Sequence, residues 1–107
     1  MSAPNKRLAF LEDAIAKGSK DPFAWYGLAM EYRKLDRFED ALRTFEALRG
    51  DQPDYVAMYL MCGQMLEGRG KSEEARGWYE NGIAAAKKKN DTHALSELEG
   101  ALRTLEA

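Results

Sequence analysis

The chain matches itself when it is shifted by 34 residues. Trp25 falls on Tyr59, Ala29 on Gly63, Tyr32 on Leu66 and Asp36 on Gly70. Further along, Glu39 falls on Glu73, Ala41 on Ala75, Phe45 on Tyr79, Glu46 on Glu80 and Leu48 on Gly82. Large positions mostly meet large ones, small meet small, and the register runs without a gap from Trp25 to Gly82. A period of this length constrains a chain severely. Each repeat is one supersecondary unit that cannot bury its apolar face alone, so neighbouring copies must stack.

The spacing inside each repeat predicts two helices. Trp25, Leu28, Ala29 and Tyr32 recur at i, i+3, i+4 and i+7, one stripe of an α-helix. Asp21 is placed to cap it, and Pro22 suits the first helical position. Leu35-Asp36-Arg37 breaks the pattern, and Asp36 with Glu39 resembles a capping box. A second stripe follows in Phe38, Ala41, Leu42, Phe45 and Leu48, with Gly50 and Pro53 as its stop signals. The second copy carries Tyr59, Cys62, Gly63 and Leu66, a turn at Gly68 and Gly70, and then Ala75, Trp78, Tyr79, Gly82 and Ile83. Ala29, Gly63, Ala41 and Ala75 let helices approach closely, and an aromatic residue opposite fills the space that packing leaves.

These residues resemble the tetratricopeptide repeat, whose pattern is W-x2-L-G-x2-Y, then A-x3-F, then P. The first copy reads Trp25-x2-Leu28-Ala29-x2-Tyr32, Ala41-x3-Phe45 and Pro53. The second reads Tyr59-x2-Cys62-Gly63-x2-Leu66 and Ala75-x3-Tyr79. Lys87 stands where the second proline would be, so that helix is expected to run on through Lys89. The resemblance implies an all-α fold: a helix–turn–helix solenoid of about six antiparallel helices in a right-handed superhelix. Residues 1–107 are expected to form a single domain. It comprises an N-terminal helix over 5–18, repeats over 22–53 and 54–89, and a capping helix over 91–106. The first flank carries Leu8, Leu11, Ala14 and Ile15 and ends at Gly18. The last helix, capped by Asp91 or Thr92, carries an apolar stripe of Ala94, Leu95, Leu98, Ala101, Leu102 and Leu105. Its solvated face holds Ser96, Glu97, Glu99, Arg103 and Glu106.

In this family the first helices of successive repeats line a groove that takes a peptide or a partner helix. By resemblance, the groove-facing residues are Phe23, Tyr26, Met30, Arg33 and Lys34 in the first repeat, and Ala57, Leu60, Gln64 and Glu67 in the second. The first set lies roughly 140° around its helix from the Trp25/Tyr32 stripe, at 100° per residue. No charge occurs from Pro22 to Met30, so this helix is apolar on both sides. Phe23, Tyr26, Met30 and Leu60 therefore form a candidate patch for a partner helix or a second copy. The other reading is that the N-terminal helix covers them. Tyr26 and Met30 stand where chaperone-binding relatives place lysine and asparagine, which argues against capture of a C-terminal carboxylate.

Other chemistries find little support. The net charge is −2, and Lys87-Lys88-Lys89 is the one basic run, better placed to favour a helix C-terminus than to bind phosphates. His93 is the one histidine, and Cys62, the one cysteine, falls on a core stripe. None of the H-E-x-x-H, C-x-x-C, P-loop or G-x-G-x-x-G motifs occurs. The pair Glu39–Arg43 reads as i, i+4 helix support. The start lacks an apolar run of signal-peptide type, and no stretch is long enough to span a bilayer. The expectation is a cytoplasmic, non-enzymatic interaction module. It is expected to have no catalytic residues, cofactor, metal or small-molecule substrate, and no nucleic-acid or membrane partner. Its partner would be a peptide or amphipathic helix of another protein, or a second copy of itself.

Overall fold

In a computed structural model, residues 5–107 are described, and residues 1–4 of the expected single domain lie outside them. The described residues form six α-helices and no strand: α1 Lys6–Ala16, α2 Pro22–Lys34, α3 Phe38–Asp51, α4 Ala57–Gly68, α5 Ser72–Lys88 and α6 Thr92–Glu106. The repeat is visible in the backbone. Phe38 and Ser72, which open α3 and α5, are equivalent in the 34-residue register, and so are the residues that close the preceding helices. Asp36 has φ 59° and Gly70 has φ 76°, both left-handed. Around Asp36, its own N–H donates to the Arg33 carbonyl at 3.0 Å, and the Arg37 N–H donates to the Tyr32 carbonyl at 2.9 Å. Around Gly70, the N–H groups of Gly70 and Lys71 reach the carbonyls of Glu67 and Leu66, each at 2.9 Å. This double bond satisfies carbonyls that the helix end would leave open. Gly18 and Asn90 close α1 and α5 the same way. Asp and Asn adopt the conformation at less cost than other non-glycine residues.

The helix starts are equally local. Asn5, Asp21 and Asp91 accept hydrogen bonds from the N–H groups of Leu8, Phe23 and Ala94 at 2.8, 3.0 and 3.0 Å. Two stop signals act differently from expectation. Gly50 is helical, and α3 continues to Asp51. The stop is Pro53, which disfavours a helical conformation at Gln52 before it. Gly68 likewise belongs to α4, and Gly70 alone makes the left-handed turn. With Lys87 in place of the second proline, α5 has 17 residues against 14 in α3.

The chain divides into two compact units, one ending at Asp51 and one running Gln52–Ala107. In the first, α2 packs against both α1 and α3. Its buried apolar residues are Leu11, Leu28, Ala29, Ala41, Phe45 and Leu48. Full burial of a side chain such as Phe45 or Leu48 contributes about 1.5–3 kcal/mol. Arg43 pairs with Asp40 at 2.9 Å, not with Glu39. Asp40 lies in the first turn of α3, where its carboxylate is held between Arg37 and Arg43.

In the second unit, α5 packs against both α4 and α6, and α4 also touches α6. Two glycines set the helix spacing. A Cβ at Gly63 would clash with the ring of Tyr79, 2.7 Å from Cδ1 and 2.9 Å from Cζ. A Cβ at Gly82 would lie 2.5 Å from the Tyr59 Cβ and 2.9 Å from a Leu98 methyl. Tyr59 and Trp78 stack at a tilt, centroids 5.9 Å apart. The Tyr59 hydroxyl donates to the Pro53 carbonyl at 2.6 Å, tying the entering loop to α4. Arg76 of α5 pairs with Glu106 of α6.

Candidate protein-binding cleft

A cleft of about 590 Å3 opens in the second unit between α4 and α6. Leu60, Gln64 and Glu67 form the α4 wall, and Glu97, Gly100, Ala101 and Thr104 form the α6 wall. Helical spacing explains the first set: residues 60, 64 and 67 lie at i, i+4 and i+7, on one face. Tyr79 of α5 is the floor. Its ring is fully buried, and its hydroxyl donates to Glu67 Oε1 at 2.6 Å. The floor therefore orients one carboxylate of the wall. Gly100 and Ala101 carry too little side chain to close the gap, so the two walls stay apart above the floor.

Leu60 and Gln64, together with Glu67, stand on this wall, while Ala57 is exposed at the start of α4. The remaining groove-facing residues lie on α2 in the first unit. Phe23 is 64% exposed, Tyr26, Met30 and Arg33 are half-buried, and Lys34 is exposed at the helix end. Burial pushes the Tyr26 hydroxyl above its ordinary pKa, and the charge of Arg33 partly offsets this. The N-terminal helix meets α2 at Gly27 and Glu31. Leu11 sits where a Cβ on Gly27 would be 3.6 Å away, and Arg7 Nε lies 3.2 Å from Glu31 Oε1. Asn5 Nδ2 donates to the other Glu31 oxygen at 3.2 Å. Glu31 is thus a buried carboxylate held by two residues of the first flank, which a buried charge requires.

Sequence reasoning missed the α6 wall and the role of Glu31. Ala101 reads as part of an apolar core stripe and Glu97 as a solvated face. In the structure Leu98 is the buried member of that stripe, while Leu95, Ala101, Leu102 and Leu105 are half-buried. The available signal was the pair Gly100-Ala101 inside a helix, small residues that fill little space. For Glu31 the sequence carries no comparable mark.

A smaller cleft of about 270 Å3 in the first unit is lined by Trp25, Tyr32, Asp40, Arg43, Thr44 and Ala47. Its polar groups are engaged internally. Trp25 Nε1 donates to the Ser19 carbonyl at 2.9 Å, Thr44 Oγ1 to the Asp40 carbonyl at 2.7 Å, and the Tyr32 hydroxyl to Glu12 at 2.6 Å. The Arg37 guanidinium lies 4.6 Å above the Tyr32 ring. Burial, then the hydrogen bond and charge of Glu12, push the Tyr32 hydroxyl up to about 12 against the opposing charge of Arg37. Hydrogen bonds from Arg43 and Arg37 hold the Asp40 carboxyl below its usual range. These groups lock the helices together and offer less to a ligand than the α4–α6 cleft.

Cys62 is fully buried, and His93 is 88% exposed, 3.2 Å from Glu97. Lys88 pairs with Asp54 at 3.2 Å. Among the described residues no group of three or more His, Cys, Asp or Glu could hold a metal ion, and no helix is long and apolar enough to cross a membrane.

A repeated helix–turn–helix with an open cleft between alternate helices defines a helical-repeat protein. A family model described as tetratricopeptide repeat matches residues 26–90. The solution structure of a tetratricopeptide repeat domain protein from Salinibacter ruber is 37% identical, with TM-score 0.78, covering 81% of this chain and 88% of that one. A crystal structure of a tetratricopeptide repeat domain protein from the same organism is also 37% identical, with TM-score 0.75, covering 81% and 97%. The solution structure of a Bordetella parapertussis protein is 29% identical, with TM-score 0.79, covering 99% of this chain and 90% of that one. No curated protein matches the chain. The chain belongs to the tetratricopeptide repeat family. Its fold is that of protein–protein interaction modules generally, a typically non-catalytic class.

Proposed function

We propose that the chain is an adaptor that binds a peptide or helix of another protein and catalyses no reaction. The α4–α6 cleft carries this reading: it is an open trough with a rigid aromatic floor and small residues along one wall. Its volume lies within the range of sites that take a compact ligand or a few residues of a chain. In the first unit, the α2 face with Phe23, Tyr26, Met30, Arg33 and Lys34 is proposed as a further contact surface, on the strength of Phe23's exposure. The cytoplasm is the compartment proposed, and it suits a chain that uses its one cysteine as buried packing. A photo-crosslinking residue at Gln64, compared with one at the exposed Asn81 of α5, tests the reading in cells. Discrete adducts at 64 and none at 81 support it, and identical patterns at both positions refute it.

A second reading, self-association, is favoured by Phe10 and Phe23, which are 73% and 64% exposed. Apolar residues of this size on a surface suit an interface. Light scattering after size exclusion separates the two. A monomer at high micromolar concentration removes self-association, and a dimer dissociated by Phe23→Ser supports it.

A further inference from the structure

We propose that the α4–α6 cleft selects a partner segment bearing an arginine or lysine, whose cationic head lies between Glu67 and Glu97. This rests on the reading of that cleft as the binding surface. The cleft's charge is one-sided: each wall contributes one carboxylate, and no lysine or arginine lines it. Arg103 reaches within 3.9 Å of where a Cβ on Gly100 would sit, yet is not part of the lining.

The two carboxylates differ in a useful way. Glu67 is half-buried and oriented, because the fully buried Tyr79 donates to its Oε1 at 2.6 Å. That bond leaves Oε2 to accept from a ligand. A carboxylate already fixed in place loses little freedom when a cation arrives, which favours binding. Glu97 stands on the opposite wall. Its neighbour His93 is an exposed side chain on the same helix, 3.2 Å away, and does not line the cleft.

The remaining surface suits the rest of such a side chain. Leu60 and Ala101 offer apolar contact for the methylene stem, while the head meets the carboxylates, as long basic side chains do at partly apolar surfaces. Guanidinium–carboxylate bonds are among the stronger polar contacts and favour arginine over lysine where two oxygens are available. An acidic side chain in the same place would face like charge from both walls, which opposes binding.

The test uses the whole 15N-labelled chain and three capped heptapeptides of sequence Ser-Leu-Ala-X-Ala-Leu-Ser, with X arginine, glutamine or glutamate. The arginine peptide should shift the amides of Gln64, Glu67, Gly100 and Ala101. It should bind about tenfold more tightly than the glutamine peptide, the scale of one charge-assisted hydrogen bond. The glutamate peptide should leave those amides unmoved. Glu67→Gln and Glu97→Gln should each reduce the arginine preference, and Arg103→Ala should preserve or increase it. Because Glu97 is exposed, Glu97→Gln keeps the fold even if Glu67→Gln loosens the Tyr79 contact. Equal binding of the arginine and glutamine peptides at these amides overturns charge selection and leaves the cleft as the binding surface. Failure of all three peptides to move them overturns both.

Discussion

Replacing Gly82 and Gly77 by alanine, one at a time, asks whether close approach or helix propensity governs the second unit. Both glycines lie inside α5, so each substitution gains about 0.8–1 kcal/mol of helix propensity. A Cβ at Gly77 meets nothing within 4 Å, so that gain is realised. At Gly82 the new methyl would lie 2.5 Å from the Tyr59 Cβ and 2.9 and 3.1 Å from the Leu98 methyls. Tyr59 Cβ is anchored to its own backbone and cannot swing aside, so α4 and α5 must separate. Overpacking of this kind costs about 1–3 kcal/mol. The two variants share the same loss of unfolded-state freedom, so the steric term alone sets their difference.

That difference is about 1–3 kcal/mol, or roughly 4–12 °C in midpoint at about 4 °C per kcal/mol for a domain near 100 residues. Thermal unfolding followed by circular dichroism measures it. Gly77→Ala should melt above the parent, and Gly82→Ala should melt below Gly77→Ala by that margin. Adding Leu98→Ala should not restore the lost midpoint, because the Tyr59 contact remains and a fully buried leucine is removed. Gly82→Ala also bears on the cleft: Tyr59 stands on α4 and Leu98 on α6, the two walls. Displacement should therefore appear at the amides of Gln64 and Gly100. Equal midpoints for the two alanine variants would show that α5 sits less closely against α4 and α6 than these distances state.

Three further outcomes follow from particular contacts. The Tyr32 hydroxyl, pushed up to about 12 from 10.0, contributes stability that is intact below pH 10 and lost as pH rises through 12. Tyr32→Phe should flatten the fall in melting temperature between pH 9 and 12, and superimposable profiles would contradict the burial and Glu12 contact assigned to it. Asp91→Ala removes the bond to the Ala94 N–H and should cost about 1 kcal/mol, with faster amide exchange in the first turn of α6. Glu31→Ala removes the shared partner of Asn5 and Arg7 and should cost about 1–2 kcal/mol. Exchange should speed up along α1 and stay unchanged along α5; uniform acceleration would mean that α1 has no local anchor.

What was legible in the sequence was what local chemistry decides. The turns fall where the apolar pattern breaks, but Asp36, read from the sequence as a capping residue for α3, instead takes the left-handed conformation that Gly70 takes at the same register position. The longer α5 follows from one exchange, Pro53 against Lys87. The rest depends on partners from outside the repeat. Glu31 is a tolerable buried carboxylate only because Asn5 and Arg7 come from the flanking helix. The side chains of the α6 wall do not repeat those found 34 residues earlier, so they could be sorted only by polarity, which puts Glu97 correctly on an exposed face but does not show that it and Ala101 line a cleft. The register does hold one clue to that wall, in the position where it breaks. Leu48 is buried in the first unit, and its equivalent, Gly82, is the residue against which Leu98 of α6 docks. A leucine there would fill the space that Tyr59 and Leu98 occupy. The glycine is therefore best understood as the seat of a third helix. Once α6 is seated there, the small residues Gly100 and Ala101 face Leu60 and Gln64 across Tyr79, so the mismatch in the repeat and the existence of the cleft have one physical cause.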